Sequence, residues 1–309
     1  MGNAQGVTIP QRPRQLAWQV FRGSAARAEG LLSTKQLRGS QWLRLGYDLY
    51  ADSRLERDHQ LRCHALLTVI PERTYFAGPS AALLHGVEHA ADFQDPVHLV
   101  TPAGTRLNAR QPTVVHRMIL DQGEHMMHRG FPATTPIRTC WDLALWLEPV
   151  KAVAIIDGML RRQLVSLQDL NDLIAQRLGC HGARRAQRTF GFSDGGAQSP
   201  AESSLRVRLL LCGFPRPCTQ FPVQVKGKIL HPDLAWPDYM VAMEYDGLWH
   251  NDADQFHQDR ERLNLLTTAG WIVVHVTGQR MRTDFAGVVG ELKDVLVRRG
   301  WSGHLRLER

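Results

Sequence analysis

The sequence predicts an α+β protein: a C-terminal mixed β-sheet flanked by helices, behind a winged-helix-like N-terminal segment and a mixed α/β region. Three observations carry that prediction. Ile229–His250 (ILHPDLAWPDYMVAMEYDGLWH) reads as two strands joined by a short turn at Trp236-Pro237-Asp238, with side chains alternating between the faces. Segments such as IRTCWDLALWL, beginning at Ile137, repeat apolar residues at helical spacing. From Ser199 onward the elements run α-β-β-β-α-β-α, an order suited to a mixed sheet packed against helices.

The chain has 309 residues, enough for two domains or three modules with cores of their own. With 43% hydrophobic and 22% charged residues it is not a disordered chain. Its net charge of +7 favours a polyanionic partner such as DNA. Cys63, Cys140, Cys180, Cys212 and Cys218 contain no CxxC pair, as in reduced thiols rather than a disulfide framework. The segment MGNAQGVTIPQRPRQ lacks the apolar centre of a signal peptide, and Gly6 stands where a myristoylation signal needs Ser or Thr. The best apolar stretch, Leu143–Ile156, is interrupted by Glu148 and Lys151 and preceded by Asp142, too polar to span a bilayer. A cytoplasmic location and no membrane partner are expected, and a small-molecule ligand is not.

Taken in order, residues 1–14 form a polar arm. A helix is expected from Gln15 to Ala28 and a short capped helix at Ser33–Leu37, followed by a small β-ribbon from WLRL and YDLY. That is the outline of a winged helix-turn-helix, although the span between Leu37 and Trp42 is short for a recognition helix. Residues 53–70 have helical spacing, with Leu55, Leu61, Ala65 and Leu66 on the apolar face. His59 and Cys63 lie four apart there, without the second pair that a structural zinc site needs. Ser80–Val87 reads as a helix with a core or rim histidine, His85. Strands are expected at Pro96–Thr101 and Pro112–Leu120, and a solvated loop over GEHMMHRG. Thr135-Pro136 reads as an N-cap followed by proline at the first helical position. Helices follow at Val150–Arg161 and Leu167–Arg177, the latter capped by Ser166. The Ser, Asp and Gly residues closing HGARRAQRTFGFSDGG mark a boundary, so the modules are 1–75, 76–190 and 197–309.

The C-terminal module carries the chemistry. Ser199 followed by Glu202 is a capping box, and a carboxylate at a helix N-terminus can also face a metal. Strand alternation puts Glu244 and Asp246 on one side of the predicted hairpin with Asp233 converging on them. Three carboxylates beside a buried strand are most simply explained by a divalent cation. A helix at Asp254–Ala269, a strand at Trp271–Val276 and a helix at Phe285–Arg298 complete the module.

Two resemblances rest on these residues. GLLSTKQLRG, WLRLGYDLYAD and Thr134-Thr135-Pro136 with Arg138, Thr139 and Asp142 resemble abortive-infection-type antitoxins with an N-terminal winged helix. The run Ser199-Pro200-x-Glu202, Leu205-Arg206, His231-Pro232-Asp233-Leu234, Glu244-Tyr245-Asp246-Gly247, Trp249-His250, Asp259-Arg260 with Arg262, and Gly270-Trp271 resembles the Vsr-like nucleases. These are the very-short-patch-repair and DUF559-type endonuclease domains of the PD-(D/E)xK superfamily, whose fold is restriction-endonuclease-like. The resemblance implies phosphodiester hydrolysis with Asp233 and Glu244 holding Mg²⁺ or Mn²⁺. Asp246 stands where the superfamily usually has lysine. His250 matches the histidine that the mismatch-repair relatives use, so it is assigned as general acid/base, with Asp246 as its orienting partner or an extra metal ligand. Asp246-Gly247 also reads as a plain turn, and Trp249 as hydrophobic cover or a DNA wedge. Arg206, Arg208, Arg260, Arg262, Arg280 and Arg282 are candidate phosphate contacts, with an Asp259–Arg260 salt bridge as the other reading for that pair. The expected function is a metal-dependent DNA endonuclease or nickase. The alternative is a catalytically inactive, antitoxin-like DNA-binding regulator.

Overall fold

In the computed structural model, which describes residues 12–105, 112–246, 262–303 and 305, the N-terminal stretch is not the continuous helix expected from Gln15 to Ala28. A 3₁₀ turn at Arg14–Leu16 gives way to a strand, Val20–Arg22, and only then to a helix, Gly23–Ala28. The strand wins because Val20–Arg22 finds an antiparallel partner in Leu49–Ala51, which also pairs with the strand Trp42–Gly46. Phe21 then meets the Trp42 ring edge-on at 5.1 Å and stacks on Tyr50 at 6.0 Å. Gly23 leaves room for this ring, since a Cβ there would lie 2.6 Å from the Tyr50 ring and force it to shift. Asp52 closes the sheet. Burial alone would raise its pKa, but hydrogen bonds from Arg54 and the Trp18 amide, with Arg12 nearby, hold it well below the carboxylate range.

The expected short helix is a single turn, Thr34–Leu37, and its capping box is complete: Ser33 accepts the Gln36 amide and Gln36 accepts the Ser33 amide. The segment thus holds a three-stranded sheet and two short helices, the second too short to lie along a groove.

Internal contacts divide the chain into two compact units, Met1–Thr139 and Cys140–Arg309. The rest of the first unit is a five-stranded sheet covered by the helices His59–Leu67 and Gly78–Leu84. Phe76, Val97, Leu99, Phe131 and Ala133 from the strands pack with Cys63, Leu66, Ala81 and Leu84 from the helices. His59 is a core histidine, bonded through Nε2 to Ser80 Oγ and through Nδ1 to the Asp92 carbonyl, and His85 reaches the Thr134 carbonyl. The GEHMMHRG segment is a hairpin rather than a loop: His125–His128 turns at Arg129-Gly130 and pairs with Phe131–Thr134. Its signal was hidden because two residues of positive φ, not an Asn-Gly pair, make the turn. The helix Pro136–Trp146 does start at proline, but Thr135 Oγ1 is buried without a hydrogen bond and does not act as the cap.

In the second unit the stretch expected as a boundary, 190–197, is a short loop between two helices. Residues 183–190 form a helix, and the following loop is tied on both sides. The Asp194 amide donates to Asp157 Oδ1, Thr219 Oγ1 donates to Asp194 Oδ1, and Arg161 bonds the Gln198 carbonyl. The helices Pro149–Arg161 and Pro200–Leu211 pack on each other across it, locked by a buried ion pair between Asp157 and Arg206 at 2.6 Å. The helix Leu167–Gln176 has the Ser166–Asp169 capping box expected of it.

The C-terminal sheet is mixed, as predicted. Its strands lie in the order Ile272–Thr277, Val241–Asp246, Leu234–Trp236, Cys218–Thr219, the first pair parallel and the others antiparallel. Leu234, Trp236, Val241, Met243, Val274 and Val276 bury one face under the helices Pro200–Leu211 and Phe285–Arg298. Ala235 and Ala242 occupy the opposite face with Leu266 and Trp271. The first strand of the expected hairpin is in fact two: Lys228–Leu230 pairs with Val223–Val225, and the chain turns at His231–Asp233 before Leu234 enters the main sheet. Pro232 explains the break, since it has no amide to give a ladder.

Candidate functional site

Asp233 stands at the entrance of its strand, and the pairing of Leu234 with Met243 puts it opposite Glu244. Because Ala242 and Glu244 alternate with Val241 and Met243, Glu244 and Asp246 occupy the face opposite the main core. Parallel pairing adds a third strand, setting His275 beside Glu244 and Thr277 beside Asp246. The sheet register thus sets Asp233 and Glu244 side by side, two of the three carboxylates expected to converge.

The two central carboxylates are poorly neutralised. Asp233 Oδ2 accepts the Tyr245 amide at 2.8 Å, and Oδ1 takes a longer bond of 3.3 Å from Gln220 Nε2. Burial, with the Glu202 charge adding to it, pushes Asp233 up to about 6 against these bonds and Arg262. Burial and the Asp233 charge push Glu244 up to about 7, against Arg262. Arg262 Nη2 sits 3.1 Å from Glu244 Oε1, yet that oxygen is buried and receives no hydrogen bond, so the guanidinium approaches off its N–H direction. The same Nη2 donates to the His231 carbonyl.

The remaining predicted residues divide. Glu202 is 7% exposed and lies at the helix N-terminus; its amide bonds Ser199 Oγ as in a capping box, but its carboxylate takes the Gln198 amide instead of that of Ser199. Asp246 faces His275, Nδ1 to Oδ2 3.2 Å, rather than joining Asp233. His231 is exposed and bonds the Gln220 carbonyl. Arg262, with its side chain partly exposed, is turned toward Glu244. Arg206 is a correction: it is wholly buried, bonded to Asp157 and the Phe192 carbonyl, and cannot touch a phosphate. Arg208 lies over the Phe285 ring and bonds the Met281 carbonyl, and Arg280 pairs with Glu291. His250, Trp249, Arg260 and Asp259 lie outside the described residues. Among the described residues no group of three or more His, Cys, Asp or Glu is arranged to hold a metal ion.

Two participants were missed in the sequence. Gln220 has no local signal, since it is a turn residue of positive φ next to a two-residue strand. His275 had one: it is the only polar interior residue of IVVHVT, which parallel pairing then brings to Glu244. Chemically, the pair Asp233–Glu244 suits one hard cation held through carboxylate oxygens, Mg²⁺ being bound elsewhere by as few as one or two carboxylates. The orphaned Glu244 oxygen and the raised proton affinity of both acids fit an absent positive charge.

Residues 76–191 match the family described as the AbiEi antitoxin C-terminal domain. That segment runs from the five-stranded sheet through the helix Ala183–Phe190 and stops before the carboxylate site. Two uncharacterized proteins of Mycobacterium tuberculosis, MT2308 and Rv2248, are each 27% identical over 251 residues, covering 81% of this chain and 90% of theirs. The crystal structure of RV2827C protein from the same species aligns with a TM-score of 0.39 at 16% identity, over 60% of this chain and 74% of that one. Among the described residues no helix is long and apolar enough to cross a membrane.

Proposed function

We propose that the chain is an antitoxin-like regulator that binds DNA. The observation supporting this is the match of residues 76–191 to the AbiEi antitoxin C-terminal domain, in a chain of net charge +7 whose N-terminal segment has a winged outline. A labelled duplex titrated with the full chain should show binding that weakens steeply between about 50 and 200 mM salt. Salt-independent binding, or none at low salt, would remove this reading.

A second reading is favoured by one specific observation, the under-neutralised Asp233–Glu244 pair. In it the C-terminal unit hydrolyses phosphodiester bonds, with Asp233 and Glu244 holding Mg²⁺ or Mn²⁺. The bound ion would supply an activated water and charge stabilisation at the phosphate. The protein's own part is to hold Asp233 in place through the Tyr245 amide and Gln220, and to keep the two carboxylates side by side by strand pairing. Calorimetric titration of Mn²⁺ tests it directly: heat in the wild type that disappears in Asp233→Asn supports a metal site. Nicking of plasmid DNA that survives Asp233→Asn and Glu244→Gln would assign the cleavage to a contaminant.

A further inference from the structure

Between Asp172 and Asp194 the chain has no acidic residue, while Arg177, Arg184, Arg185 and Arg188 all fall there. The helix Ala183–Phe190 folds that run into two faces. Ala183, Ala186, Thr189 and Phe190 are buried, and Arg184, Arg185, Gln187 and Arg188 are exposed. The exposed arginines are not alike. Arg185 caps the preceding helix, donating from Nε to the Ala144 carbonyl at 3.2 Å and from Nη2 to that of Leu147 at 2.9 Å. Arg216 bonds the Gly191 carbonyl and so sets another exposed guanidinium at the far end of the same helix. Arg184 and Arg188 make no hydrogen bond or ion pair with any described residue. Four residues apart, they are neighbours on one helix face, about 6 Å apart along its axis.

We propose that this face is the contact for the phosphate backbone of duplex DNA, with Arg184 and Arg188 as the phosphate ligands and Arg216 beside them. The inference rests on the DNA-binding reading above and says where on the chain the contact is made. Charge complementarity selects a polyanion, because no carboxylate among the described residues pairs with the two arginines. The N-terminal module is the obvious rival site, but its second helix is the single turn Thr34–Leu37, which cannot lie in a groove. A face built of two exposed arginines and one glutamine holds the backbone without reading bases.

The test uses the full chain and fluorescence anisotropy with a labelled duplex over a range of salt concentrations. R184Q/R188Q should weaken binding at least tenfold near about 100 mM salt and reduce the slope of log Kd against log salt by about 2, with an unchanged melting temperature. K35Q/R38Q in the N-terminal turn should leave both quantities nearly unchanged. Unchanged affinity and slope in R184Q/R188Q, with the loss found in K35Q/R38Q, overturns the placement while leaving DNA binding intact. Wild-type protein that binds no duplex at low salt overturns both, and tenfold preference for a single-stranded RNA overturns the choice of duplex.

Discussion

The second unit holds two buried groups of charges that have opposite characters. At the junction of the helices Pro149–Arg161 and Pro200–Leu211, Asp157 and Arg206 are one acid and one base, 1% and 0% exposed. Burial pushes Asp157 up to about 6, but Arg206, the Asp194 amide and Ser203 all pull the other way, and the Arg206 guanidinium also serves the Phe192 carbonyl. On the C-terminal sheet, Asp233 and Glu244 share a single off-axis guanidinium, and one oxygen has no hydrogen bond. The first group matches acid with base, leaving only Arg206 Nε buried without a hydrogen bond. The second has, among the described residues, a single cation within 4 Å of its two acids. A buried charge that is fully partnered locks a junction, whereas one left short stores unfavourable energy that a ligand can release.

The largest test of the contrast is at the complete pair. R206A leaves the Asp157 carboxylate buried without its cation and should cost about 3–5 kcal/mol, read as a lowered urea midpoint. R206M/D157N should recover part of that loss, since no charge is then stranded. An R206A loss below about 1 kcal/mol would show that water reaches the junction and that the two groups do not differ.

Next in size is Glu244→Gln. Glu244 ionises near 4.5 in the unfolded chain and near 7 in the folded one, so the folded protein holds a proton that the unfolded chain has released between those values. Its contribution is therefore fully present below about pH 4.5 and is lost as pH rises through 7. The glutamine cannot lose it. E244Q should match the wild type near about pH 4 and exceed it by on the order of 2 kcal/mol above about pH 7.5, measured by thermal unfolding across that range. A wild type as stable as E244Q at high pH would mean that Arg262 already neutralises the site.

Arg262→Gln probes the same deficit from the other side. Its side chain is 37% exposed, so the loss at about pH 8 should be only about 0.5–1 kcal/mol, shrinking at pH 5 as the acids take protons. Smallest of all is His275→Gln. The Asp246–His275 contact is 32% and 40% exposed on its two sides, and its removal should change stability by less than about 0.5 kcal/mol. A larger effect would place this contact inside the under-neutralised group rather than at its rim.

Much of this architecture could be read along the chain. The helix Phe285–Arg298, the Ser166 capping box and the strand that carries Glu244 and Asp246 are local patterns, set by residues within a turn or a strand of one another. The misreadings have a common cause. Val20–Arg22 was hidden in a helical window because its strand partner lies about 30 residues away, at Leu49–Ala51. The Ser-Asp-Gly run after Phe190 has the composition of a linker, yet Asp194 and Arg206 bond back to residues 157 and 192 and bind it into the unit. Arg206 sat in a motif of exposed-looking charge, and nothing in the sequence said that a partner acid waited on another helix.

Sequence alone determined that Glu244 and Asp246 share one face of their strand, while the pairing of Leu234 with Met243 set Asp233 opposite Glu244. Alternation is a property of the extended backbone, and it needs only Val241–Asp246 to be a strand. The tertiary structure decided their surroundings: that Glu244 lies beside His275, that Arg262 is the one cation within 4 Å of it among the described residues, and that Gln220 and the Tyr245 amide hold Asp233. Those are matters of which strand lies next to which. Burial and charge compensation, unlike strand period, are set by residues far apart along the chain.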